Sequence, residues 1–193
     1  MTTDSAKEKI QESNQNQIII LSGGGADIER VLKNIASTGI FQDKSVAYVA
    51  IAAETDEKLL TLITSNFDKL KHTFWALGVT DADLITSTEY SDMFKHDLII
   101  LSGGNTAYLL DTLRKKNFAQ KIKEHPNIEA IIGISAGAIV LAQSGIGTMN
   151  GRRHRYQGLG LISDMVIPHS DFKLQKQYSN ALHLKEYESH QYN

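Results

Sequence analysis

One pentapeptide in the second half of the chain has the residue types and spacing that acyl transfer requires. Gly133-Ile134-Ser135-Ala136-Gly137 fits Gly-x-Ser-x-Gly, directly after the apolar run 130–134 and directly before a helix-like stretch. A sharp strand-to-helix turn of this kind lifts a serine Oγ clear of the backbone, and flanking glycines leave room for the strained bend. The N–H of Ala136, first in the following helix, is the natural donor to an oxyanion developing beside Ser135. Read without that context, the same pentapeptide is a small-residue turn that lets a helix pack closely on a sheet.

A serine nucleophile needs a base within hydrogen-bond reach. The chain has seven histidines: His72, His96, His125, His154, His169, His183 and His190. His72 falls in a polar part of a long helix, and His96 and His125 fall at strand starts or in loops, at the wrong end of the sheet. His154 lies in Arg152-Arg153-His154-Arg155, which reads as a solvated loop or an anion contact. His169 follows the apolar Met165-Val166-Ile167 and Pro168, just past a strand end and downstream of the serine, so it is the candidate base. A histidine in such a place, taken alone, is more often structural than catalytic.

Two further small-residue turns follow apolar runs. Ser102-Gly103-Gly104-Asn105-Thr106 can present a backbone N–H, from Gly103 or Gly104, to complete an oxyanion hole; it also reads as a plain turn in which Asn or Thr caps the next helix. Ser22-Gly23-Gly24-Gly25-Ala26-Asp27 lacks the last glycine of G-x-G-x-x-G and has no Gly-Lys-Ser/Thr phosphate loop, so it reads as a structural or substrate-edge turn. Gly24 in the first turn and Asn105 and Thr106 in the second are the candidates for contact with substrate.

The elements that must position these residues are legible from periodicity. Residues 18–21 form a strand, and Ile28, Val31, Leu32 and Ile35 at i, i+3, i+4, i+7 mark one face of a helix. A second strand covers 46–52. Leu59, Ile63, Phe67, Leu70, Phe74 and Leu77 then predict a long amphipathic helix ending near Gly78. A weaker strand is expected at 84–86, further strands at 98–101 and 130–134, and a helix carrying Leu109, Leu110 and Leu113 between those last two. After Ala142 the pattern weakens to one plausible strand at 165–167 and a helix-like, polar tail from Lys173. Continuous apolar strands alternating with helices predict an α/β fold, a three-layer sandwich with a mostly parallel sheet. Ligands bind such sheets beyond the carboxyl ends of the strands, where the three turns fall. Residues 1–16 read as a mobile N-terminal lead-in, and 17–193 as a single domain without internal repeats.

Composition narrows the chemistry further. The 193 residues are 41% hydrophobic and 22% charged, with 14 Gly and 2 Pro, enough apolar content for a core of one domain. Twenty Lys and Arg against 22 Asp and Glu leave a net charge of -2, so no basic excess is available to grip a nucleic acid. Zero cysteine excludes disulfides, thiolate zinc sites, iron–sulfur clusters and a cysteine nucleophile. The start of the chain has no signal-peptide pattern, and no run approaches the ~20 apolar residues of a membrane span. A cytoplasmic location, no membrane partner and no cofactor are the expectations.

The order of motifs resembles peptidase family S51, the dipeptidase E and cyanophycinase group. The resemblance rests on a strand then SGGG near the start, LSGGNTAYLL in the middle, GISAGAIV, then GLGLI with IPHSDF, and covers about residues 18–172. It implies a fold like the class I glutamine amidotransferases with serine in place of cysteine, and a serine peptidase acting on small acidic peptides without a metal. By motif, it makes Ser135 the nucleophile and His169 the general base, with oxyanion donors at Ala136 and in Gly103-Gly104. Three departures accompany it. Between nucleophile and histidine the family has an acidic residue, whereas Gly145-Ile146-Gly147-Thr148-Met149-Asn150-Gly151 contains none. Asn150 stands in that place and can orient an imidazole without supplying charge; Asp164 and Asp171 are the nearest carboxylates in sequence. The family's aspartyl dipeptidases place an arginine beyond the histidine, where this chain has only Lys173, Lys176 and Lys185, leaving Arg152, Arg153 and Arg155 as stand-ins. The chain also ends soon after His169, which predicts a missing sheet edge or one covered by a second copy in a homodimer. Two readings follow: a serine peptidase of dipeptidase E type hydrolysing a small peptide, and an impaired relative that binds a peptide or small anion without turnover.

Overall fold

The computed structural model describes residues 9–12, 17–22, 28–149 and 151–169. Gly24, Asn150, Asp171, His183, His190 and the polar tail lie outside the described residues.

Continuous apolar runs build the centre. The parallel strands are β2 (Ile18–Ser22), β3 (Ser45–Val49), β4 (Asp81–Ile85), β5 (Leu98–Leu101) and β6 (Ala130–Ile134). Part of the expected lead-in is instead ordered: β1 (Lys9–Glu12) pairs antiparallel with β2. The sheet order is β1-β2-β6-β5-β3-β4, so β6 lies between β2 and β5. This three-strand neighbourhood brings the ends of the three runs that carry Ser22, Ser102 and Ser135 to one edge.

Alternation along each strand divides the core into two layers. Ile19, Ile99, Leu101 and Ile131 face one side, packing with Leu109, Leu113, Phe118 and Val140. Ile20, Leu98, Ile100 and Ile132 face the other, with Leu32, Ile35, Phe67 and Phe74. The first side is covered by α3 (Thr106–Lys115), α4 (Phe118–Glu124) and α5 (Ala136–Leu141), the second by α1 (Ile28–Ala36) and α2 (Glu57–Ala76). Both faces of the sheet are therefore dry, which is why its strands read as unbroken apolar runs. Asp56 starts α2 by accepting bonds from the N–H groups of Lys58 and Leu59, each 3.1 Å. Gly78, at φ 90°, follows its last turn.

The second strand is shorter than expected. After Val49 the chain tightens into a 3-10 turn, Ile51–Ala53, because Ala50 N–H bonds Ile85 O and the next residues turn back across the sheet edge.

A second, three-stranded sheet was not expected. Chain β7 (Ala142–Met149) follows α5 with no residue between them. It pairs antiparallel with β8 (Arg152–Gln157) and parallel with β9 (Ile162–Val166). Small residues in β7 and the polar RRHRYQ of β8 give no apolar run to detect, although β8 alternates in exposure as an edge strand does. Among the described residues no helix is long and apolar enough to cross a membrane.

Candidate active site

Ser135 occupies the turn between β6 and α5 at φ 53° and ψ -106°, a conformation that L-residues with a side chain rarely adopt. The turn is held at both ends. Ser135 N–H donates to Ser22 O at 2.9 Å, and Ile139 N–H donates to Ser135 O at 3.1 Å. The glycines of the motif are required by close approach rather than by flexibility. A Cβ on Gly137 would fall 2.1 Å from Leu101 O, and one on Gly133 would fall 2.7 Å from Ala138 N.

His169 lies three residues beyond β9, with φ 55°. Its Nε2 is 2.8 Å from Ser135 Oγ. Partial burial of the imidazole pushes its pKa below the ordinary value of 6.5, so the ring is neutral at neutral pH and Nε2 can accept the serine proton once Nδ1 carries the hydrogen. No carboxylate among the described residues hydrogen-bonds this ring.

The second turn is pressed against the serine. A Cβ on Gly103 would lie 3.3 Å from Ser135 Cβ and 3.7 Å from its Oγ. Gly104 holds φ 139° because Ala52 O sits 2.3 Å from where its Cβ would be. The turn is fixed by Asn105, whose N–H donates to Ala52 O at 2.7 Å and whose Oδ1 caps α3 through Tyr108 N–H. Asn105 Nδ2 also donates to Thr55 Oγ1, and Tyr108 Oη to Glu54 Oε2 at 2.9 Å. Asn105 therefore serves the capping role and lines neither cavity beside the serine, whereas Thr106 lines the smaller one. Among the described residues, the N–H groups of Gly103, Gly104 and Ala136 have no hydrogen-bond acceptor.

The remaining described histidines are elsewhere. His96 precedes β5, buried at the opposite end of the sheet, 3.3 Å from an Asp83 carboxylate oxygen. His125 stacks on Phe94, and His72 meets the edge of Trp75 on the outer face of α2.

Two cavities meet at Ser135 and His169. The smaller, about 140 Å³, is lined by Thr106, Ile139, Ile146, Thr148 and Arg153 as well as the pair itself. Of the three candidate arginines, only Arg153 reaches it. The larger, about 530 Å³, opens between α1, α2 and the Gly103-Gly104 turn. Sequence reasoning did not place either cavity. Arg153 was one of three equivalents in a stretch read as a solvated loop, which is instead the strand β8.

The model for peptidase family S51 matches residues 5–190 of the chain. The chain belongs to peptidase family S51. An uncharacterized peptidase of Pasteurella multocida (strain Pm70) is 27% identical over 194 aligned residues, covering 90% of each chain. A solved peptidase from an acI-B1 Actinobacterium has 24% identity and a TM-score of 0.58, over 83% of this chain and 70% of its own. A candidate peptidase E protein from Listeria monocytogenes EGD-e has 21% identity and a TM-score of 0.49, over 72% of this chain, which spans 64% of that protein. S51 membership supports a hydrolase of the peptidase class, and the S51 fold, related to the class I glutamine amidotransferases, is the α/β arrangement described above.

Proposed function

We propose that this chain is a serine-type peptidase of dipeptidase E kind, with Ser135 as nucleophile and His169 as general base. The observation that carries this reading is the 2.8 Å approach of Ser135 Oγ to His169 Nε2 on a serine held at positive φ. The strain of that backbone has no use in a turn that merely packs a helix, and hydroxyl and imidazole in direct contact favour turnover over binding alone.

In the proposed reaction, Oγ bonds to the substrate carbonyl carbon as its proton passes to Nε2. The carbonyl oxygen becomes an oxyanion facing the N–H groups of Ala136, Gly103 and Gly104. Collapse breaks the C–N bond, and Nε2 returns the proton to the departing amine. Water then adds to the ester with Nε2 taking its proton, and the second collapse releases the acid and restores the serine hydroxyl. Arg153 in the smaller cavity supplies the cation for a carboxylate of a small peptide, with Thr106 beside it. Gly24 and Asn150 keep their proposed parts, at the substrate edge and as the orienting group on the imidazole.

Ser135→Ala tests the reading. It is expected to abolish both peptide hydrolysis and covalent labelling by a fluorophosphonate, and hydrolysis persisting in the variant would overturn the nucleophile assignment.

A further inference from the structure

The larger cavity has a wall the core does not need. Helix α2 buries Phe67, Leu70 and Phe74 against the sheet, but its first half also carries Leu59, Leu62 and Ile63. Leu59, Leu62, Ile63, Asn66 and Leu70 follow one another at helical spacing and line the cavity in a single stripe. Leu59 and Leu62 belong to neither core layer, and Leu62 is 58% exposed. Large apolar side chains left facing a cleft that contains the reacting serine point to a ligand rather than to folding.

The opposite wall has the same character. Ile134 and Tyr48 close the floor, and burial pushes the Tyr48 hydroxyl up to about 12, so it stays neutral. Among the described residues the charged lining groups are Glu29 on α1 and Lys69 on α2, which pair with each other at 3.4 Å. Arg153, in contrast, lies in the smaller cavity on the other side of the pair and meets no described carboxylate.

From this we infer that the larger cavity is a subsite for an aliphatic or aromatic side chain of the substrate. The chain thus selects short peptides carrying an apolar residue on one side of the reacting bond. A side chain seated between Leu59, Leu62 and Tyr48 exchanges water contact for apolar contact, whereas an aspartate there loses hydration and, among the described lining residues, meets only a lysine already paired with Glu29. The volume of about 530 Å³ accommodates a ring as well as a branched aliphatic group. The inference rests on the proposed role of Ser135 and His169 for its orientation, but not for its selectivity.

The test uses full-length Ser135→Ala protein, which retains peptide without cleaving it. Calorimetric titration with Leu-Ala, Ala-Leu, Phe-Ala and Ala-Phe is compared with Asp-Ala, Ala-Asp, Gly-Ala and Ala-Gly. At one of the two positions Leu or Phe is expected to bind roughly 10- to 100-fold tighter than Asp or Gly. Adding Leu62→Lys, at an exposed position that leaves the core intact, should remove most of that preference while the melting temperature stays unchanged. Equal or tighter binding of the Asp peptides, or a preference untouched by Leu62→Lys, overturns the subsite. Apolar selectivity in binding with no turnover by the wild type overturns the catalytic reading and leaves the subsite standing. Turnover without apolar selectivity does the reverse.

Discussion

The carbonyl oxygen of Leu101 stands where a side chain on Gly137 would have to begin, 2.1 Å from the ideal Cβ position. Leu101 ends β5 and Gly137 lies in the first turn of α5, so this contact sets how closely the helix that follows Ser135 approaches the neighbouring strand.

Gly137→Ala should therefore damage fold and site together. Backbone, not a flexible side chain, occupies the space, and overpacking of this kind costs about 1–3 kcal/mol or more. The expected outcome is a lower urea midpoint, with fluorophosphonate labelling of Ser135 slowed at least tenfold in the fraction that remains folded. A variant with unchanged midpoint and labelling rate would show that α5 can retreat without cost.

The pH dependence follows from the direction of the His169 shift. Burial lowers its pKa from the ordinary 6.5, and only the neutral ring can take the serine proton. Activity should rise with pH along an acid limb whose midpoint lies below 6.5, and be flat through neutrality. Stability has the same sign: in the window below 6.5 and above the folded value, the unfolded chain binds more protons, so acidification through it favours unfolding. Measurements of kcat/KM across roughly pH 4.5–8, spanning the ordinary histidine value on both sides, check the limb. A midpoint above 6.5 would assign the titration to another group.

Arg153 should act on binding more than on the chemical step. Loss of a charge-assisted hydrogen bond is worth about 1.5–3 kcal/mol, so Arg153→Gln is expected to raise KM for peptides bearing a free carboxylate by roughly 10- to 100-fold with a smaller change in kcat. Converting that carboxylate to an amide should cost the wild type as much and cost the variant little, because the two changes remove one interaction. Additive losses would place the carboxylate elsewhere.

The sequence is most transparent where burial is two-sided. Leu98–Leu101 and Ala130–Ile134 are strands at the residues where their apolar runs begin and end, because both faces lie under helices. Helix α1 is equally plain from Val31, Leu32 and Ile35. Polar strands are opaque for the converse reason. β1 is recognisable only through its backbone pairing to β2, and β8 exposes four of its six side chains at a sheet edge. In the candidate site, Ser135 and His169 were legible from turn chemistry and strand-end position. The cavities were not, since Leu59 and Leu62 fit the same helical period as the core and only the packing separates the two uses. Arg153 required β8 to exist before its direction had meaning.

Helix α5 passes into β7 without an intervening residue, and β7 in turn carries both the hairpin bearing Arg153 and the strand leading to His169. In the proposed reading the nucleophile thus sits on the large sheet and the base on the small one, joined by a single continuous stretch of chain. Changes around Arg153 in β8 can be expected to redraw which peptides are admitted while Ser135 and His169 stay in register. Changes at the α5–β7 junction cannot, since they shift base and nucleophile against each other. On the proposed reading, substrate choice is accordingly free to diversify in one strand, while turnover is lost by changes a few residues away.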